Sequence, residues 1–287
     1  MTLPPRLRSG ALPTRIAAVT LAALVLVAVL APWIVPYDPS RSGDTATERL
    51  LPPSGAHPFG TDAIARDVFS RLLAGTSVSL GTAALALAIV VAVGMAWGGI
   101  AGLAGPRTDR WMMRVVDALL ATPRLLILLA LVAFTGRLSP AALALLIGLT
   151  SWPPMSRIVR ARVREIAVAD YVTAARAVGV PFRRILTRHV LPGTVPAVLA
   201  GAVMTLAAVI PLEAALTFFG VGIAPPTPSW GAILHDARDR ALDAWWLLTF
   251  PSLAIAATVL SVNVLGERLQ HDLQHGLRPQ GRPGEAR

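Results

Sequence analysis

The chain of 287 residues has no lysine and no cysteine, and all 26 of its basic residues are arginine. A Walker-type phosphate loop needs a lysine to reach the nucleotide phosphates, so ATP binding by that route is excluded. Schiff-base and pyridoxal chemistry need the same amine and are excluded with it. Without cysteine there is no disulfide, no thiol nucleophile and no thiolate-held metal. Charge is sparse as well: 15% of residues are charged, whereas a water-soluble domain carries about a quarter. The five histidines and scattered carboxylates form no H-E-x-x-H and no G-x-S-x-G pattern, which leaves an intramembrane protease a remote alternative.

What is abundant is apolar. Hydrophobic residues make up 54% of the chain and its mean hydropathy is +0.62, which suits lipid rather than water. A hydrocarbon core about 30 Å thick takes roughly 20 residues at 1.5 Å each. Runs of that length predict six spans, near 16–36, 78–103, 115–135, 139–157, 195–219 and 245–266. The first follows a leader with Arg6, Arg8 and Arg15 and so has the outline of a signal peptide. Pro32 directly follows Val29-Leu30-Ala31, where cleavage would fall, and the apolar run continues to Val35, so the segment reads as an uncleaved anchor.

Arginine placement orients the spans. Arg107, Arg110 and Arg114 follow span two, and eight arginines between Arg157 and Arg188 follow span four. With six spans, these segments share a side with both termini, predicted to be cytoplasmic. The other side is mixed, with five acids against four arginines from Asp38 to Arg71. A formal charge of +10 gathered in loops of one side is what membrane insertion requires, and gives no reason to invoke nucleic acid.

The segment 158–192, IVRARVREIAVADYVTAARAVGVPFRRILTRHVLP, is too polar to span and too apolar for a disordered linker. Tyr171, Ala174, Ala175 and Val178 form one narrow stripe at helical spacing. Gly179 suits the left-handed position that closes a helix, and Pro181 the first turn of the next, so the segment predicts helix, sharp turn, helix. Pro192 and Pro196 mark re-entry to the membrane. Spacing alone fits a helix that docks on a partner and a helix lying on lipid headgroups equally well.

The residues narrow the choice. Thr173-Ala174-Ala175, Gly179 three residues on, and Leu191-Pro192 in register resemble the EAA loop of bacterial ABC importer permeases; Thr173 stands where that pattern has Glu, and His189 where it has Ile. His57-Pro58-Phe59-Gly60-Thr61-Asp62 with Arg66-Asp67-Val68-Phe69-Ser70-Arg71 is similar to a segment of dipeptide and oligopeptide permeases, as is Phe218-Phe219-Gly220 with Pro225-Pro226-Thr227-Pro228-Ser229-Trp230-Gly231. Together these identify the chain as a member of the dipeptide, oligopeptide and nickel importer family, resembling its second permease subunit. The resemblance implies an all-α, type I importer permease in a bacterial inner membrane. It implies a homologous sister permease, two cytoplasmic ATPases that hold ATP and Mg, and a periplasmic or lipid-anchored solute-binding protein. The coupling contacts carried over by position are Thr173, Ala174, Ala175, Arg176, Gly179, Val180, Leu191 and Pro192. Peptides are the expected solute, with nickel complexes also open. A channel or secondary transporter is the alternative, and neither needs an ATPase dock.

The implied layout is a cytoplasmic N-terminus at 1–15, an anchor at 16–36, a periplasmic segment at 37–75, a permease domain at 76–267 and a cytoplasmic tail at 268–287. Within it, Glu213 is an ionisable residue inside span five and a candidate for the pathway by default. It lies about 26 Å along a helix starting near Pro196, where it could reach water, and Pro211 suggests a local break. Asp117 and Arg124, seven apart, would share a face of span three. Gly94, Gly98, Gly99 and Gly102 favour close helix packing, more simply within the chain than against the sister. His271 and His275 could ligate a metal, but no carboxylate-rich pocket is evident, and a frayed tail is the simpler reading.

Overall fold

The computed structural model describes residues 11–136, 138–240 and 242–276. It is all-helical, with only two isolated β-bridges among the described residues. Four helices are long and apolar enough to cross a membrane unbroken: α1 (Ala11–Ile34), α2 (Val68–Leu103), α9 (Leu191–Phe218) and α11 (Trp246–Gly276). Two further span-sized segments are bent pairs. Helices α3 (Pro106–Ala121) and α4 (Arg124–Thr135) meet at 78°, and α5 (Pro140–Ser151) and α6 (Pro153–Ala167) at 48°, giving up to six spans. Prolines cause both breaks: Pro123 directly precedes α4, and Pro153 and Pro154 open α6, where a proline tolerates only the first turn of a helix.

The bend in the third span overturns one expectation. Asp117 and Arg124 lie on different helices and share no face; Arg124 donates to Ser151 Oγ of α5, at 3.2 Å.

Helix α2 is the central post. It starts at 68, eight residues before the predicted domain edge at 76, because Asp67 caps it by accepting from the Ser70 amide at 2.7 Å. At 36 residues it is about 54 Å long. Helices α1, α5, α6 and α9 pack along it, and α11 lies against α1 and α9. At its first end, residues 35–67 fold into a cap. Thr61 Oγ1 accepts from the Leu51 amide at 2.8 Å, the Trp246 indole donates to the Thr61 carbonyl at 3.0 Å, and Phe59 stacks on Phe250.

Near the last turns of α2 are the short helices α7 (Asp170–Ala177) and α8 (Phe182–Ile185), followed by a π-helical turn, Leu186–Val190, that feeds into α9. Between α9 and α11, helix α10 (Trp230–Asp236) returns into the bundle. Trp230 is fully buried there, with its amide donating to Ser79 Oγ and its indole to Thr76 Oγ1, both on α2.

Candidate functional site

Helix α7 is held by one side and open on the other. Val172 is fully buried in a cluster with Val163, Ile166, Ile185 and Val190. Tyr171 and Val178 are 53% and 79% exposed, and Thr173 and Ala174 are exposed beside them, while Ala175 and Val180 are half-buried. The stripe at helical spacing therefore faces outward, away from its own chain. Val172 is the residue sequence reasoning missed; a single β-branched residue beside a longer apolar stripe gives no periodic signal.

The turn has the anticipated geometry. Gly179 has φ +79°, the Val178 amide donates to the Ala174 carbonyl at 3.1 Å, and the Val180 amide to the Ala175 carbonyl at 3.1 Å. Those bonds satisfy helix-end carbonyls, and a left-handed φ suits glycine. A Cβ at Gly179 would meet nothing within 4 Å, so the turn projects into open space. Leu191 is half-buried and Pro192 exposed at the start of α9. The side chains of Arg176, His189 and His275 lie outside the described residues.

Helix α6 carries the loop and is gripped on two faces. On one, glycines of α2 let it approach closely: a Cβ at Gly94 would fall 2.5 Å from Met155 Cγ, at Gly98 2.4 Å from the Ser156 carbonyl, and at Gly102 2.5 Å from Val163 Cγ1. Gly99 faces Leu186 and Leu191 instead. The small-residue pattern thus serves packing within the chain. On the other face, Arg160 and Arg164 both donate to Asp109 of α3; the Arg160 Nη2 bond is 2.8 Å.

At the other end of α2, a charged network ties the cap to α10. Asp62 Oδ2 accepts from Arg66 Nε at 2.6 Å and Arg71 Nη1 at 2.5 Å, and Asp236 Oδ2 accepts from both arginines at 2.7 Å. His57 Nδ1 lies 2.9 Å from Asp67 Oδ1. These residues carried the family resemblance, but Asp236, 170 positions from Arg66, joins them only in three dimensions.

Glu213 differs from expectation. Helix α9 runs unbroken through Pro211, and Glu213 is 0% exposed, so it does not reach water. Its Oε1 accepts from Thr217 Oγ1 at 3.2 Å, and its Oε2 has no partner among the described residues. The described residues contain no cluster of three or more metal-ligating side chains.

Residues 94–279 match the family described as binding-protein-dependent transport system inner membrane component. Residues 15–53 match the N-terminal TM domain of oligopeptide transport permease C. A putative peptide transport system permease protein of Brucella suis is 40% identical over 93% of this chain and 89% of its own length. The dipeptide transport system permease protein of Bacillus subtilis is 37% identical over 89% and 79%. A glutathione transport system permease protein of Escherichia coli is 37% identical over 87% and 82%. Among solved structures, an inward-facing form of the MetNI methionine ABC transporter superposes with a TM-score of 0.55 at 19% identity, over 71% of this chain and 97% of that one.

Proposed function

Because the chain belongs to the binding-protein-dependent transport system inner membrane components, a family of permeases without an ATPase of their own, we propose that it couples to a separate ATPase through α7 and the Gly179 turn. The observation that carries this is the outward stripe: Tyr171, Ala174 and Val178 present apolar surface and small side chains at the tip of a helix rooted by Val172. Arg183, Arg184 and Arg188 would also suit a helix lying on lipid headgroups, so charge does not separate the two readings. The Gly179 turn gives a compact knob with a fixed shape, suited to a groove in a protein partner. Thr173, Ala174, Ala175, Arg176, Gly179 and Val180 form the contact, and Leu191 and Pro192 set where the loop re-enters the membrane.

The same reading gives the assembly: a homologous second permease, two ABC ATPases that bind ATP and Mg, and a solute-binding protein, in a bacterial inner membrane with both termini cytoplasmic. Peptides are the proposed solute, because the relatives named for di- and tripeptide-like solutes match over most of their length. Glu213, sealed inside the chain, is a packing group in this reading rather than a pathway residue.

The test is Gly179→Trp in the co-expressed transporter. The left-handed φ strains any L side chain, and the indole occupies the space a groove wall would need. The ATPase subunits are expected to be lost on purification, and ATP-dependent uptake with them. Retention of both at wild-type levels would refute docking at this turn.

A further inference from the structure

Helix α3 packs chiefly on α2, with Val116 in the buried cluster, and is tied to α6 by charge. It is amphipathic, it ends in a 78° break, and its buried stripe is only Asp109, Met112 and Val116. Apart from the Trp97 indole bonding the Met112 carbonyl at 3.3 Å, its polar ties run to α6. Asp109 takes Arg160 through both carboxylate oxygens and Arg164 through one; Asp117 takes Arg157. Arg157, Arg160 and Arg164 stand at i, i+3 and i+7, on one face of α6. The two ties are unequal. Asp109 has a side chain 9% exposed, whereas Asp117 and Arg157 are 58% and 51% exposed and so contribute little.

Helix α6 leads through Val168 and Ala169 directly into α7. Val172 of α7 is buried in the same cluster as Val163 and Ile166 of α6, so a displacement of α7 is passed to α6 as a unit. The glycine contacts of α2 hold the far side of α6 backbone to backbone. On the near side, the clamp on the buried Asp109, made by a part-buried Arg160 and a half-exposed Arg164, is the grip through which motion of α6 would reach α3, and beyond the Pro123 break, α4.

We propose that Asp109 is a positioning residue for coupling: by clamping Arg160 and Arg164, it transmits movement of the α7 loop through α6 to the broken helix α3–α4. The proposal rests on the reading of α7 as the ATPase dock. It differs from that reading in its consequence. Loss of Asp109 disconnects the loop from the membrane segment without removing the ATPase, whereas damage at Gly179 removes the ATPase itself.

The experiment uses the whole transporter, with sister permease, ATPases and binding protein, reconstituted in proteoliposomes. Three variants, Asp109→Asn, Asp109→Glu and Arg157→Ala, are compared for ATPase co-purification, basal ATP hydrolysis, and the factor by which the binding protein stimulates hydrolysis. For Asp109→Asn we expect wild-type co-purification and basal hydrolysis, with stimulation reduced about 2- to 30-fold, the range of coupling changes seen along such networks. Asp109→Glu restores stimulation, and Arg157→Ala leaves it intact. Wild-type stimulation in Asp109→Asn overturns the proposal. So does loss of the ATPases in that variant, which would make Asp109 a scaffold for the dock, and so does an equal loss in Arg157→Ala, which would make the effect one of general charge. Gly179→Trp, run in parallel, reports on the dock alone.

Discussion

Replacing Asp62 with alanine should open the cap more than any exposed change nearby, and the size of the effect follows from its contacts. The carboxylate is 1% exposed and accepts from the amides of Ile64 and Arg66, both at 3.0 Å, from Arg66 Nε at 2.6 Å and from Arg71 Nη1 at 2.5 Å. Arg71 and Arg66 are themselves buried, and Arg71 Nε already lacks a partner among the described residues. Truncating one member of a buried pair costs about 3–5 kcal/mol, because the surviving charge stays buried. Asp236 still holds both guanidiniums, which argues for the lower end, about 3 kcal/mol. At 1.4 kcal/mol per decade, that is about a hundredfold in the opening equilibrium. Hydrogen exchange on the assembled transporter reads it directly: the amides of Ile64 and Arg66, which bond the lost carboxylate, should exchange about a hundredfold faster. Arg157→Ala, which breaks an exposed pair, should shift local exchange by less than about 1 kcal/mol. Exchange at residues 62–67 within about threefold of wild type in Asp62→Ala would refute the reasoning, since it would mean a cost well under 1 kcal/mol.

Gly98→Leu forces α2 off the backbone of α6, since its Cβ would sit 2.4 Å from the Ser156 carbonyl; a loss of about 1–3 kcal/mol or more should appear as a lowered thermal midpoint. Gly81→Leu, on the same helix with nothing within 4 Å, is expected to leave it unchanged. Glu213→Gln keeps the side-chain shape and an acceptor for Thr217, so uptake and stability should stay within about 1 kcal/mol of wild type; a tenfold loss of uptake without unfolding would return Glu213 to the pathway. The natural absence of cysteine makes orientation simple to test: Ser42→Cys and Thr187→Cys, both exposed, should label from opposite sides of the membrane, and labelling from one side would refute the six-span orientation.

Much of this protein is legible along the chain because the relevant physics is local. A span needs a run of apolar residues, so α1, α2, α9 and α11 could be read from composition and length alone. A left-handed turn needs glycine and the next helix accepts proline, so the α7–Gly179–α8 unit could be read from spacing. Absence of lysine excludes a Walker loop whatever the fold. Other features depend on which surfaces meet, and no local rule reports that. Pro123 and Pro153 announce a break but not its angle, so the 78° turn that separates Asp117 from Arg124 was invisible. Pro211 announces a break that does not occur, because the packed helix α9 carries it. Glu213 is an ordinary carboxylate in sequence; only the packing around it shows that it is sealed from water. The partners of Asp62 and Asp109 stand up to 174 and 55 positions away through shared arginines, and charge pairing at that range has no periodicity to betray it. Composition and spacing determined that the chain crosses a membrane and carries a helix, a left-handed turn and a second helix in one of its loops. Tertiary contact alone decided which charges hold the two ends of the bundle together, because a buried ion pair exists only where the fold brings both partners out of water.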